Sequence, residues 1–357
     1  MRVRIRPAVE ALPAYVPGRA QRGAVKLSSN ENPEPPHPAV LAAARAALDG
    51  ANRYPDMGAH ALREAVADLN GVTPDQVCVG TGSSAVLLAA LSAVCTPGAR
   101  VVFPWRSFES YPIAVPASGG EAVPVPLTED WRVDLPAMAA AIDEDTAAVI
   151  VCTPNNPTGP ALAFDEIRSF VEQVPDDVLV LVDEAYIEYA TAPGVSTCMP
   201  LVAEYPQVLV LRTFSKAYAL AGLRVGYGVG HPDLVEAVSK VLVPFGVSSV
   251  AQAAALAALA DPTRTRNSVA ATVAERGRVL AELRSMGYAV PDSQSNFLWI
   301  PASQSGVAFV EACARAGLIV RPFPEGVRMS MGTREENDRF LAVARDLAPT
   351  PTETRPA

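Results

Sequence analysis

Lysine is the scarcest side chain in this sequence of 357 residues that could supply a nucleophilic amine. The three lysines are Lys26, Lys216 and Lys240, and Lys216 follows the apolar run Val208–Leu211 after four further residues. A lysine held near apolar surface and a second cation has a lowered pKa and can act as a nucleophile. Arg224, eight residues later, could be that cation. Lys216 is therefore the candidate catalytic amine.

A glycine- and serine-rich segment follows the run Val77–Gly80 and opens a predicted helix. Its sequence, GTGSSA, lets the backbone approach a ligand, and a helix N-terminus favours an anion. Ser83 and Ser84 could therefore bind a phosphate, although an ordinary glycine turn has the same composition. A dinucleotide site would also need an acid at the end of the next strand. That strand ends before Trp105 with no acid until Glu109, which weakens a nicotinamide-dependent oxidoreductase as an interpretation.

Two further runs end in polar residues. Asp183 follows five apolar residues, and a buried carboxylate needs a cationic partner, either a protonated ring nitrogen or a structural arginine. Asn156 lies in PNNPTG, which either forms a plain turn or points an amide at the same sheet edge. Tyr186 adds a phenol, and Thr213 and Ser215 add hydroxyls beside Lys216. A phosphate cup, a buried acid, an amide, a phenol and a lysine match the functional groups of pyridoxal 5′-phosphate (PLP).

The elements that position these residues follow a regular alternation. Between Gln76 and Val247, short β-branched runs alternate with helical patterns, which indicates an α/β fold with a mainly parallel sheet between helices. Beyond Val247 a long helical region, 248–286, and shorter strands and helices predict a smaller α+β domain. We expect an N-terminal arm and part of the small domain at 1–45, the large PLP-binding domain at 46–247, the small domain at 248–347 and a disordered tail at 348–357.

Composition narrows the class of protein. Half of the residues are hydrophobic, which suits a soluble globular protein with a large core, and the net charge of −9 argues against nucleic-acid and membrane partners. The five cysteines form no CxxC pair, and no cysteine–histidine cluster has zinc spacing, so we expect a reducing compartment and no metal. The proline-broken N-terminus has no apolar signal-peptide core. These features predict a cytoplasmic protein.

Five motifs stand in the order of a known family: SSNENP at 28–33, NRYPD at 52–56, PNNPTG at 154–159, DEAY at 183–186 and TFSKAYALAGLR at 213–224. Together they resemble the fold-type I PLP-dependent aminotransferases, specifically the histidinol-phosphate aminotransferase family. The resemblance runs from about Arg6 to Leu347. It implies an aspartate-aminotransferase-like fold, a homodimer, and amino acids and 2-oxo acids as substrates in a ping-pong reaction.

The resemblance also implies roles for individual residues. Lys216 would bind the cofactor aldehyde and move the proton, Asp183 would hold the ring nitrogen, and Asn156 and Tyr186 would bind the ring hydroxyl. Phe108 would stack on the ring, with simple core packing as its alternative. The phosphate would be held by Ser83, Ser84, Thr213, Ser215, Arg224 and, from the partner subunit, Tyr54. The substrate would meet Arg328, which grips its acid group, and the neighbouring residues Tyr15, Asn30, Asn296 and Arg321.

The substrate prediction depends on two positions where this sequence departs from the usual pattern of the histidinol-phosphate aminotransferases. Ser84 stands where many histidinol-phosphate enzymes have an acid, and WRSFE at 105–109 resembles the aromatic amino acid (phenylalanine) branch. We therefore predict transamination of phenylalanine, tyrosine and tryptophan with 2-oxoglutarate, with histidinol phosphate as the alternative substrate. Decarboxylation or β-elimination would use the same cofactor residues, but Arg328 favours transamination because it anchors an acid group away from the bond that breaks. A regulatory protein on this fold would usually add a DNA-binding segment.

Overall fold

A computed structural model describes residues 3–12, 23–301 and 306–348. The strands are β1 Val25–Lys26, β2 Val77–Gly80, β3 Arg100–Trp105, β4 Glu121–Pro126, β5 Thr146–Cys152, β6 Leu179–Asp183, β7 Val208–Thr213, β8 Gly226–Gly230, β9 Phe297–Pro301, β10 Leu318–Ile319, β11 Arg321–Phe323 and β12 Gly326–Ser330. The helices are α1 Pro7–Glu10, α2 Pro38–Ala47, α3 His60–Asn70, α4 Ser83–Val94, α5 Tyr111–Ser118, α6 Leu135–Ala140, α7 Phe164–Val171, α8 Leu201–Glu204, α9 Pro232–Val241, α10 Ser249–Ala260, α11 Pro262–Ser285, α12 Gly306–Arg315 and α13 Arg334–Asp346.

The largest sheet has seven strands in the order β2-β8-β7-β6-β5-β3-β4. Neighbours pair in parallel except β8, which is antiparallel to both β2 and β7. Strands β5 and β6 are buried along most of their length, as expected for a parallel sheet covered on both faces by helices. The predicted α/β fold with a mainly parallel sheet is confirmed.

Alternate side chains of these strands supply two separate cores. Valines such as Val149, Val180 and Val210 pack in one cluster with residues of α2, α3, α7 and α10. Leucines and isoleucine such as Leu181 and Ile150 pack on the other face with α4, α5 and α9. The two-residue side-chain period of a strand therefore fixes the register of the whole sheet, and with it the ends of the strands that bear the site.

Two smaller sheets lie beyond the large one. The antiparallel sheet has the order β11-β12-β9, and β1 pairs in parallel with β10. Their buried residues form a cluster with α11, α12 and α13. This is the smaller α+β unit that the sequence predicts. The buried alanines of α10 belong to the large-sheet cluster instead, and α10 packs against α2 and α3. The domain limit at 248 stays a prediction.

Some elements differ from the expected pattern. The helical region 248–286 is two helices, because Asp261 ends α10 and its side chain caps α11 by accepting from Arg264 N. The strand expected from Arg224 begins at Gly226, since Arg224 adopts a left-handed backbone with φ of 56°. No helix in the described ranges has the length and apolar character that a bilayer crossing requires.

Candidate active site

The carboxyl ends of β5, β6 and β7 and the turn after β2 open onto one cavity of about 190 Å³. This edge is where open α/β sheets bind ligands, because the chain leaves each strand there and the loops diverge. Ten of the eleven residues predicted to bind the cofactor line it, namely Ser83, Ser84, Phe108, Asn156, Asp183, Tyr186, Thr213, Ser215, Lys216 and Arg224.

Lys216 is half-buried and lies three residues beyond the end of β7. Its Nζ donates to the carbonyl of Ser29 at 3.2 Å and lies 5.8 Å from the ring centroid of Tyr186. Burial, followed by the charge of Arg328, lowers the pKa of Lys216 to about 7. A large share of the amine is therefore neutral at physiological pH, as a nucleophile or base requires.

Asp183 is the last residue of β6, and its carboxylate has two different environments. Oδ2 accepts a hydrogen bond from the Tyr111 hydroxyl at 2.8 Å, whereas Oδ1 is buried and has no partner among the described residues. Burial raises the pKa of Asp183 to about 6, against the lowering effect of the Tyr111 hydrogen bond. A buried carboxylate with one oxygen unsatisfied is a site for a cationic N–H donor.

Asn156 and Tyr186 line the same cavity as Lys216. The Oδ1 of Asn156 accepts from Arg328 Nη1 at 2.5 Å, and the Tyr186 hydroxyl accepts from Asn30 Nδ2 at 3.0 Å. Burial raises the pKa of Tyr186 to about 12, so its phenol stays protonated and can donate. The amide and the phenol thus reach the same cavity from β5 and β6.

Part of the cavity lining is a cup of hydroxyl, amide and guanidinium donors. Ser83 and Ser84 form the first turn of α4 after Gly82, whose φ of 89° favours glycine. The Thr213 hydroxyl donates to Ser215 Oγ at 2.9 Å, and Arg224 Nη1 donates to the same oxygen at 3.3 Å. Donors around a helix N-terminus with an adjacent arginine are suited to a phosphate.

Gly226 keeps this cup compact. A Cβ at Gly226 would lie 2.3 Å from the backbone nitrogen of Ser83. The approach of β8 to the start of α4 therefore requires glycine at this position. The antiparallel strand β8 thus fixes the backbone on which the predicted phosphate-binding serines stand.

Phe108 lines the cavity and packs edge-on against Tyr111, with ring centroids 5.6 Å apart and an interplanar angle of 90°. Its ring therefore has both a packing role and a surface on the cavity. The two predicted roles of Phe108, ring stacking and core packing, are compatible in this geometry.

Arg328 lies in β12 and is buried. Besides Asn156, it donates from Nη2 to the carbonyl of Ser28 at 2.6 Å, and its guanidinium carbon is 5.5 Å from the ring centroid of Phe297. Asn296 donates to the carbonyl of Asn30 at 3.1 Å. Asn30 lies two residues after Ser28, whose carbonyl accepts from Arg328. The described residues include four of the five predicted substrate residues, namely Arg328, Asn30, Asn296 and Arg321.

Tyr54 is the predicted cofactor residue that does not line the cavity, and the substrate candidates Asn30, Asn296, Arg321 and Arg328 are not among the lining residues either. Tyr54 is 83% exposed, and its ring centroid is 4.7 Å from that of Phe245 on the outer surface. This position does not reach the chain's own cavity, so any contact with a phosphate would have to come from another subunit. Tyr15 lies outside the described residues.

Sequence reasoning missed two contributors to the site. Tyr111 bonds to Asp183 across 72 positions and lies in a proline-containing helix with no polar pattern of its own. The main-chain carbonyls of Ser28 and Ser29 accept from Arg328 and Lys216, respectively. Carbonyl groups are present at every position, so no residue type could have indicated them.

The donor set fits PLP. The unsatisfied Oδ1 of Asp183 suits a protonated pyridine nitrogen, and Lys216 suits the aldehyde. The cup around Ser83 and Arg224 suits the phosphate, and Asn156 and Tyr186 suit the ring hydroxyl. Across residues 3–12, 23–301 and 306–348 no three potential metal ligands cluster together.

Comparison with known proteins places this arrangement. The chain matches the family Aminotransferase class I and II over residues 22–343. It is 47% identical to an aromatic amino acid aminotransferase of Mycobacteroides abscessus, over 97% of this chain and 99% of the relative. Another of Rhodococcus opacus is also 47% identical, over 99% and 98% of the two chains.

A solved structure resembles the whole fold. The histidinol-phosphate aminotransferase from Sinorhizobium meliloti, in complex with pyridoxal-5′-phosphate, superposes with a TM-score of 0.89 and 30% identity, over 98% of this chain and 99% of that one. The family match, the near full-length relatives and the cavity that fits PLP agree with one another. The chain belongs to the class I and II aminotransferases and is a PLP-dependent enzyme of that family.

Proposed function

We propose that the protein transfers amino groups between aromatic amino acids (phenylalanine, tyrosine and tryptophan) and 2-oxoglutarate. The observation that carries this proposal is the setting of Arg328, a buried guanidinium with two aromatic rings close to it. Its carbon lies 5.5 Å from the centroid of Phe297 and 5.7 Å from that of Phe323. The names of the relatives at 47% identity support the same donor class.

The chemistry of the donors explains why this setting favours an aromatic amino acid. Such a donor carries one carboxylate, which a guanidinium binds with two parallel hydrogen bonds. Its ring gains about 25 cal/mol for each Å² of apolar surface buried. Histidinol phosphate has no carboxylate and carries a phosphate dianion, whose desolvation has to be offset by several donors.

Lys216 performs the proton transfers in this proposal. Bound PLP supplies the electron sink that makes the Cα proton of the substrate acidic. Lys216 Nζ, with its pKa lowered to about 7, would accept the Cα proton of the substrate and hold it within the cavity. Its hydrogen bond to the Ser29 carbonyl holds the amine at the edge of the cavity while it does so.

The remaining residues of the site hold and orient the cofactor and the substrate. Asp183 keeps the ring nitrogen protonated, because its carboxylate is buried and gains from a cationic partner. Tyr186 and Asn156 orient the ring from the other side, and the cup at Ser83 and Arg224 anchors the phosphate. Arg328 fixes the substrate carboxylate, so the bond from Cα to hydrogen is the one presented to Lys216.

We propose further that the enzyme is a homodimer in which Tyr54 completes the phosphate cup of the partner. Tyr54 belongs to an exposed apolar patch with Met57, Val243 and Phe245, whose exposed fractions range from 40% to 83%. Beside the patch lies a groove of about 400 Å³ lined by Met57, Val243 and Val247 among others. Exposed apolar patches of this kind are typical of subunit interfaces. A cytoplasmic location is also proposed, supported by five free thiols.

Histidinol phosphate is the second candidate donor, favoured by the structural likeness to the Sinorhizobium meliloti enzyme. The deciding experiment gives the PLP-loaded enzyme 2-oxoglutarate with phenylalanine, tyrosine, tryptophan or histidinol phosphate, separately and in competition. The proposal expects a higher kcat/KM for phenylalanine and tyrosine. A preference for histidinol phosphate in competition would replace the aromatic donor and leave the cofactor site unaffected.

A further inference from the structure

Two ion pairs connect the loop 105–109 to the hairpin formed by β11 and β12. Arg106 donates from Nε and Nη2 to Glu325 at 3.0 and 2.8 Å. Glu109 accepts from Arg321, with Nη2 at 2.9 and 2.8 Å and Nε at 3.2 Å. The pairs run in opposite senses, since the loop supplies the cation in one and the anion in the other.

Arg321 is the immediate neighbour of the arginine that grips the substrate. Arg321 and Arg328 are register partners across the β11–β12 pair, so their side chains leave the same face of the sheet about 4.5–5.5 Å apart at Cβ. Both guanidinium carbons approach the ring of Phe323, at 5.8 and 5.7 Å from its centroid. A substrate bound to Arg328 therefore has a second cation within reach.

Glu109 forms an ion pair with that second cation, Arg321. Both of its carboxylate oxygens engage the Arg321 guanidinium, and the side chains are only 30% and 13% exposed. The preceding residue, Phe108, lines the cofactor cavity. The Glu109–Arg321 pair is thus adjacent to Arg328 through the strand register and to a cavity-lining residue through the sequence.

We propose that Glu109 is a specificity-determining residue, an internal carboxylate that neutralises Arg321 and so favours substrates with uncharged side chains. This inference rests on the proposed function and deepens it. An aromatic side chain meets a pair whose charges cancel, whereas a second carboxylate or a phosphate has to compete with Glu109 for the same donors. Like charges at this range also repel.

The consequence differs between the two half-reactions. Phenylalanine requires Arg328 alone, but 2-oxoglutarate carries a second carboxylate and has to displace Glu109 or tolerate its charge. We therefore expect the wild-type enzyme to bind a dicarboxylate less tightly than its arginines would permit. Removing the charge of Glu109 should strengthen binding of the dicarboxylate and leave binding of the aromatic substrate unchanged.

The test compares Glu109→Gln with Glu325→Gln. Both changes remove one carboxylate charge from a loop-to-hairpin pair and keep the side-chain volume, but only the first removes a carboxylate that is bonded to Arg321. The probes are glutarate, a dicarboxylate, and 3-phenylpropanoate, an aromatic monocarboxylate, neither of which has an amino or oxo group. Their dissociation constants are measured by calorimetry on the PLP-loaded enzyme, and kcat/KM is measured for 2-oxoglutarate, phenylalanine and histidinol phosphate.

In Glu109→Gln we expect the ratio of glutarate affinity to 3-phenylpropanoate affinity to rise about tenfold, the scale of one charged hydrogen bond. The ratio in Glu325→Gln should stay near that of the wild type. Equal ratios in all three proteins, or equal rises in both variants, would overturn the role of Glu109. A wild-type preference for histidinol phosphate over phenylalanine would instead contradict the proposed function, and the two failures are separately visible.

Discussion

Tyr111 donates its hydroxyl hydrogen to Oδ2 of Asp183 at 2.8 Å, while Oδ1 of the same carboxylate has no partner among the described residues. One oxygen is therefore used to fix the carboxylate and the other is left for a cation. Tyr111 is fully buried, and burial raises the pKa of its phenol well above the usual value. The phenol is thus a permanent donor over the working pH range.

Replacement of Tyr111 by phenylalanine should loosen this carboxylate. We expect Tyr111→Phe to retain PLP and lose about tenfold in kcat, since a hydrogen bond to a charged group contributes about 1.5–3 kcal/mol. The tyrosine hydrogen bond lowers the pKa of Asp183, so the acidic limb of the kcat profile should move to higher pH. Tyr205→Phe, which removes a partly exposed hydroxyl bonded to Glu172, is the control. An unchanged limb would contradict the positioning role.

Replacement of Asp183 itself should lower kcat far more than replacement of Tyr111. We expect Asp183→Asn to bind PLP through the phosphate cup and Lys216 but to lose about three orders of magnitude in kcat, because the charge acts in a site that excludes water. The measurement is single-turnover transamination with phenylalanine, together with cofactor content from absorbance. A variant within tenfold of the wild type would refute the assignment.

Lys216 should be the lysine that binds the cofactor, and the choice among three lysines makes the test direct. Borohydride treatment of the protein with PLP should label Lys216 and leave Lys26 and Lys240 unmodified, as read by peptide mapping. The neutral amine reacts, so the initial rate of labelling should rise with pH through about 7 and level off above it. Lys216→Ala should remove the label and the activity. Labelling at either other lysine would show the assignment to be wrong.

Tyr54 offers a test of assembly. If each site takes Tyr54 from the partner, a dimer of a Tyr54→Phe chain and a Lys216→Ala chain has one intact site and one doubly damaged site. Mixed and re-equilibrated chains should therefore exceed the mean activity of the two pure variants. Sedimentation of the wild type should give a dimer. A monomer, or activity equal to that mean, would count against the shared site.

Arg328 should act on both half-reactions. Arg328→Lys keeps the charge but loses the two parallel hydrogen bonds, so KM for phenylalanine and for 2-oxoglutarate should each rise about 10- to 100-fold while kcat changes less. Arg334→Lys, whose side chain is 70% exposed, is the matched control. A rise confined to one substrate would show that the carboxylate is held elsewhere.

Much of the large sheet could be read from the sequence because buried parallel strands are continuous apolar runs. The run at Val77–Gly80 is a strand with the expected limits, and Pro232–Val241 is a helix with the expected limits. Strand β4 was not expected, since Pro124 and Pro126 interrupt it. It lies at the edge of the sheet, where the missing N–H groups of proline are tolerated.

The site was predictable only as far as strand ends reveal it. Lys216, Asp183 and Asn156 each follow an apolar run, and all three line the cavity. The pairings between distant residues could not be predicted. Arg321, for example, bonds to Glu109 across 212 positions, and no local sequence pattern indicates this pair. Such contacts depend on how the small sheet is placed against the large one, and single-sequence periodicity carries no information about that placement.

The short segment Leu27–Asn30 is bonded to the small α+β unit and to two residues of the candidate site. The backbone of Leu27 bonds to Ile319 and Ser330 of the small unit, Ser28 and Ser29 accept from Arg328 and Lys216, and the chain then leads to α2, which packs with the large sheet. The substrate anchor and the reactive amine are thus aligned by adjacent carbonyls of one stretch of main chain. Natural variation toward new donors has to work around this segment, through side chains of the loop and hairpin, because a change within it would disturb recognition and reactivity at once.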